Sequence, residues 1–154
     1  MTAETDMMKL YSGRILALAA ELPHAGRLEA PDGTARKRSP LCGSTVTVDI
    51  ATEGDRVRDY AQDVKACALG QAAASVVGAS VVGLDRATIQ RGRDELHAML
   101  KDGGPVPQAP FAELAVLEPA RDYKNRHASI LLAFDATLAA FDDAEARTEK
   151  TAAR

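Results

Sequence analysis

A chain of 154 residues, 46% hydrophobic and 27% charged, has the length and balance of one soluble domain and needs no disulfide or metal staple to bury a core. A formal net charge of −3 argues against binding driven by phosphate neutralisation, and 4% aromatic residues with no Trp argue against a base-stacking platform. Two cysteines cannot build a disulfide framework, the N-terminal residues lack the basic start and apolar run of a secretory signal, and no segment reaches the ~18 apolar residues of a membrane span. The expectation is a cytoplasmic protein with neither membrane nor nucleic acid as partner, in which thiols are more often inert or metal-binding than bridged.

The first predicted element is a helix. Met8, Tyr11, Ile15, Leu18 and Leu22 recur at steps of three and four, which stacks them on one face, and Pro23 ends the run. From His24 to Ser39 the chain is polar, holds the turn signal Asp32-Gly33 and closes on Arg36-Lys37-Arg38, reading as a solvated basic loop or part of an edge strand. Ser44 to Ile50 alternates strictly, with Val46, Val48 and Ile50 on one face and Thr45, Thr47 and Asp49 on the other, the period of a half-buried strand. Glu53-Gly54-Asp55 predicts a hairpin turn and a second strand over about Arg56 to Val64.

Ala68 to Val82 carries no charge and reads as a buried helix stopped by Gly83. Asp85 caps a further helix to Leu100, with Ile89, Leu96 and Met99 inward and Gly103-Gly104-Pro105 as terminator. Phe111 to Leu117 is expected to form one short helical turn. The last helix begins near Asn125 with the stripe Ile130, Leu131, Phe134, Leu138 and Phe141. The order of helix, strands, then helices predicts an α+β fold, a small antiparallel sheet with helices packed on one face. A single domain over residues 1–141 and a charged, frayed tail over 142–154 complete the expected organisation.

Three residues could carry chemistry. Cys42 stands in the turn before the first clear strand, and Cys67 between the second strand and the buried helix. A hairpin returns the chain to its entry, so the two thiols are expected near each other. The helix N-terminus beside Cys67, with Lys65 nearby, favours negative charge on the sulfur. Taken alone, a cysteine beside an Ala-rich helix reads as a small buried hydrophobe. His127 lies on the inward stripe of the last helix, in its first turn, where it is either a packed core residue or a neutral ligand. Cys42, Cys67 and His127 would suit zinc or an iron–sulfur unit better than magnesium or calcium. The fourth position would fall to water, Ser44, a carboxylate or another molecule. His24 and His97 lack such context, the pair Asp94-Glu95 reads as solvated helix surface, and no phosphate loop, dinucleotide fingerprint, nucleophile elbow or HExxH pattern is present.

Taken in order, four motifs resemble the NifU-like, IscU-type family of iron–sulfur cluster assembly scaffolds, over about Tyr11 to Phe141. They are Leu10-Tyr11-Ser12, Leu41-Cys42-Gly43-Ser44 before the strands, Ala66-Cys67-Ala68 before the small-residue helix, and Arg126-His127-Ala128-Ser129-Ile130-Leu131 opening the last one. The resemblance implies a three-stranded antiparallel sheet whose third strand comes from the polar stretch before Cys42. It implies a pocket holding a transient iron–sulfur cluster or zinc, a cysteine desulfurase as sulfur donor and acceptor apoproteins as recipients, and no enzymatic activity. Cys42, Cys67 and His127 match the family's first cysteine, second cysteine and histidine. The aspartate after the first cysteine is Ser44 here, and the third cysteine is Ala128. The family's proline-rich chaperone-recognition stretch is echoed only by Leu117-Glu118-Pro119-Ala120-Arg121, farther from His127 than the family spacing. A [2Fe–2S] cluster normally takes four protein ligands, so three donors imply a labile cluster or one completed by a partner. Two other functions fit the same departures: a scaffold-like module that docks with or regulates a desulfurase without binding a cluster, and an accessory whose Cys42 or Cys67 accepts a persulfide.

Overall fold

The computed structural model describes residues 11–41 and 43–152. Helix α1 (Gly13–Ala20) starts where the Ser12 hydroxyl accepts the Ile15 N–H at 3.3 Å, and Ile15 is fully buried. It stops short of the predicted Pro23, because a proline steers the residue before it away from helical backbone and the chain unwinds at Glu21. Met8, placed on the same stripe by the sequence, lies outside the described residues.

Three strands follow, β1 (Gly33–Arg38), β2 (Thr45–Glu53) and β3 (Arg56–Lys65), in the antiparallel order β1-β2-β3. The basic stretch Arg36-Lys37-Arg38 is thus the edge strand. Its register places Gly33 opposite Ile50 and Arg38 opposite Thr45, while Lys65 faces Thr45 from the other side. Val46, Val48 and Ile50 turn to the core as their alternation demands.

The other face of β2 is not uniformly solvated. Asp49 is fully buried beneath the segment following α1, where its carboxylate accepts from the Arg27 Nε at 2.7 Å, the Thr34 hydroxyl at 2.6 Å and the Leu28 N–H at 3.1 Å. Period-two patterning assigns a face but cannot see a loop folding back over it. Burial raises the Asp49 carboxyl, but the hydrogen bonds from Arg27, Thr34 and Leu28 and the Arg27 charge outweigh it, holding the group below the ordinary carboxylate range. A carboxyl lowered on folding stabilises the fold above its unfolded pKa and loses that contribution as pH falls through the folded value. Asp49→Asn is therefore expected to cost about 1–3 kcal/mol at pH 7. The gap to the parent should narrow as denaturation curves are taken below about pH 4. A gap independent of pH would place the loss elsewhere than in the charge.

Helix α2 (Ala68–Ser80) is buried along most of its length, and Gly83, at φ 91°, turns the chain after it. Helix α3 (Arg86–Lys101) is capped by Asp85, which accepts the Thr88 N–H at 2.8 Å, and it buries Ile89, Leu96 and Met99 as predicted. The region read as one short turn is instead a 3-10 helix spanning Ala112–Asp122. Its buried residues Leu114, Leu117 and Ala120 recur every third position, the period of a 3-10 helix.

Helix α4 (Lys124–Ala152) lies across the inner face of β1 and β2. It continues through the segment expected to fray from Asp142, and Ala144 in that segment is buried. The reason lies in the edge strand. A Cβ on Gly33 would collide with the Ala140 carbonyl and come within 2.7 Å of the Ala144 backbone nitrogen. Glycine lets helix and strand press together there, and that contact holds the charged, Ala-rich turns in place. Among the described residues no helix is long and apolar enough to cross a membrane.

Candidate functional site

At one end of the sheet three separated segments meet. Pairing of Thr45 with Lys65 brings the entry of β2 beside the exit of β3. The loop from β1 to β2 is closed by the Ser39 N–H donating to the Ser44 carbonyl at 2.8 Å and the Gly43 N–H to the Ser39 carbonyl at 3.0 Å. Gly43 adopts φ 72°, a conformation that glycine accommodates without strain. Leu41 in this loop is 72% exposed, while Ser39 and Ser44 are buried. Cys42, predicted as a ligand, lies outside the described residues.

Cys67 is the N-cap residue of α2, with extended backbone and no side-chain bond to the helix it precedes. Its sulfur is therefore not engaged in capping. The thiol is half-buried and approaches the Ser129 hydroxyl of α4 at 3.7 Å. Ser129 in turn donates to the Ser44 hydroxyl at 3.1 Å. Thus Ser44, Cys67 and Ser129, drawn from a loop, a helix start and a second helix, form one contact chain. Gly70 makes room for it, since a Cβ there would stand 2.7 Å from the Ser129 hydroxyl.

Ser129 is the residue that sequence reading passed over. Its signal was the position two after His127: on a helix, residues two apart point about 200° from each other. The side chain reaching Cys67 is thus not the histidine. His127 is buried, and its Nε2 lies 3.0 Å from the Ala120 carbonyl of the 3-10 helix. A carbonyl only accepts, so Nε2 carries the proton, and in the neutral ring Nδ1 is then the bare lone pair. That Nδ1 is buried with no hydrogen-bond partner among the described residues. A histidine whose far nitrogen is tied to a carbonyl has the outer support typical of metal-binding imidazoles.

Ala128, between the histidine and the serine, is half-buried. It lines a cavity of about 400 Å³ together with Lys37, Arg38, Ser39, Pro40 and Leu132. Among the described residues no group of three or more His, Cys, Asp or Glu side chains is placed to hold a metal ion. The described donors that meet at this end are one thiol and two hydroxyls, while the His127 imidazole, two residues before Ser129, is directed at Ala120.

The comparisons with known proteins bear on the fold that carries this end of the sheet. The family model described as the NifU-like N terminal domain matches residues 10–130. The crystal structure of the N-terminal part of a nitrogen-fixing NifU-like protein from Brucella abortus superimposes with a TM-score of 0.89 at 43% identity, covering 92% of this chain and 98% of that one. A protein from Fervidobacterium islandicum AW-1, described as a candidate iron–sulfur cluster assembly scaffold for the SUF system, shares the fold at 19% identity, with a TM-score of 0.79 over 87% of this chain and 98% of that one. No curated protein matches the chain. With its matched sequence spanning all three strands and running into the last helix, the chain belongs to the family of NifU-like N-terminal domains.

Proposed function

We propose that this chain is a scaffold or carrier in iron–sulfur cluster assembly, holding a nascent cluster as cargo rather than catalysing a reaction. The observation that supports it is the meeting of Ser44, Cys67 and Ser129 at one end of the sheet, on three of the four segments that carry the family motifs. In this reading Cys42 and Cys67 are the thiolate donors and His127 the third, through Nδ1. Ser44 stands where the family has aspartate, one hydroxyl removed from the Cys67 thiol through Ser129. The donor set suits a soft cation, so zinc with an open fourth position is an equal occupant of the same residues. A cysteine desulfurase supplies sulfur, acceptor apoproteins take the product, and the cytoplasm is the compartment.

Three donors hold less firmly than four, which fits cargo meant to leave. The test is anaerobic reconstitution with ferric iron and sulfide, followed by mixing with an apo-ferredoxin. A visible charge-transfer spectrum that moves from this chain to the ferredoxin is the expected result. Elemental analysis of protein purified without oxygen separates iron from zinc. A chain that takes up neither metal would leave the fold without this function.

A further inference from the structure

Beside the thiol end, the outer face of the sheet is open and positively charged. Arg36 faces Thr47, which faces Asp63, and Arg38 faces Thr45, which faces Lys65, so two cross-strand rows share that face. Arg36, Arg38 and Lys65 are exposed, and none of them is in an ion pair with another described residue. Arg27, tied down by Asp49, forms the wall of a depression of about 460 Å³ whose lining includes Arg36, Lys65, Thr45, Thr47 and Asp63. The excess is basic in a chain whose formal net charge is −3.

The opposite end of the sheet has the other sign. Around the β2–β3 turn, a cavity of about 550 Å³ is lined by Asp55, Asp85, Glu145 and Glu149, while its Arg86 is paired with Asp142. Strands of this length separate the two ends by roughly 30 Å, several times the ~8–10 Å over which salt screens exposed charges. The molecule therefore presents a basic end and an acidic end to anything approaching it, and such fields orient encounter.

We propose that the basic face formed by Arg36, Arg38 and Lys65 is a docking surface for a protein partner that presents carboxylates. Charge complementarity selects that occupant, and the threonine floor offers hydroxyls rather than an apolar anchor. A nucleic acid is disfavoured because the face has no aromatic side chain on which a base could stack. Lys65 lies two residues before Cys67, and Arg38 opens the loop that carries Cys42. A partner seated here meets the thiol end directly. This placement rests on the scaffold reading for its purpose, though not for its electrostatics.

Two measurements test it. In the first, poly-L-glutamate is titrated into the labelled chain and amide shifts are followed by NMR. Shifts clustered on Arg36, Arg38, Thr45, Thr47 and Lys65 are expected, and shifts centred elsewhere would overturn the proposal. In the second, affinity for the cysteine desulfurase of the same organism is measured at low and high salt. The double variant R36E/K65E should bind at least tenfold more weakly with a flatter salt dependence, R36K/K65R should bind like the parent, and E145K/E149K should change affinity less than twofold. Equal binding by R36E/K65E, tighter binding of an oligonucleotide than of poly-L-glutamate, or a charge effect seen only in self-association would each overturn it. A parent chain that ignores the desulfurase yet shows the clustered poly-L-glutamate shifts would count against the scaffold reading while supporting the face.

Discussion

Cys67→Ala is expected to lower the iron retained after anaerobic reconstitution at least tenfold, and Cys42→Ala/Cys67→Ala to reduce it to background. Loss of one of three donors removes a charged ligand that neither Ser44 nor water replaces in kind, because a neutral hydroxyl is a poor partner for a soft cation. The substitution is clean in structural terms. Cys67 makes no side-chain capping bond to α2 and, among the described residues, contacts only the Ser129 hydroxyl by polar interaction, so its removal leaves the helix start intact. Thermal midpoints of parent and variant should therefore agree within a few degrees, separating metal loss from unfolding. His127→Ala is a poorer probe of ligation, since it also abandons the bond to Ala120 and opens a hole in the core. If the doubly substituted chain held as much iron or zinc as the parent, the thiols would not be the ligands and the proposed function would lose its chemistry.

Much of this architecture is legible in the residues. Strict alternation fixed Val46, Val48 and Ile50 as the inner face of β2, and the Asp85 cap located the start of α3. The motif order supplied the edge strand Gly33–Arg38, which its polar composition alone left undecided between loop and strand. Where the reading fell short, the cause was contact at long range. Nothing near Asp49 in sequence announces that Arg27 and Leu28 fold over it. The turns after Asp142 look like a tail until Gly33, more than a hundred positions earlier, gives them something to press against. The 3-10 helix reads as a single short turn over Phe111 to Leu117 for another reason: its buried residues repeat every three positions rather than every 3.6. At the site, the spacing of His127 and Cys67 in the motifs gives no orientation. The structure puts Ser129 against the thiol and sends the imidazole toward Ala120.

Ala128→Cys is expected to slow cluster loss at least tenfold, turning a transient carrier into a retentive one. Position 128 matches the third cysteine in the family motif and lines the cavity beside Ser39 and Pro40, the start of the loop that carries Cys42. The cavity has room for a sulfur, so the added atom meets open space rather than packed core, and the fold should be disturbed by less than about 1 kcal/mol. A third thiolate with His127 would complete the four ligands that a [2Fe–2S] unit takes. The measurement is the decay of visible absorption after excess iron is removed and a chelator is added, in parent and variant under the same oxygen-free conditions. Slower decay should be matched by slower transfer to an apo-ferredoxin, because the same bonds must break in both. If decay slowed but transfer did not, the cluster would be leaving by displacement with the acceptor's ligands rather than by dissociation. If neither changed, the cavity at Ala128 would not adjoin the bound metal, and the histidine and thiols would have to be assigned to separate roles.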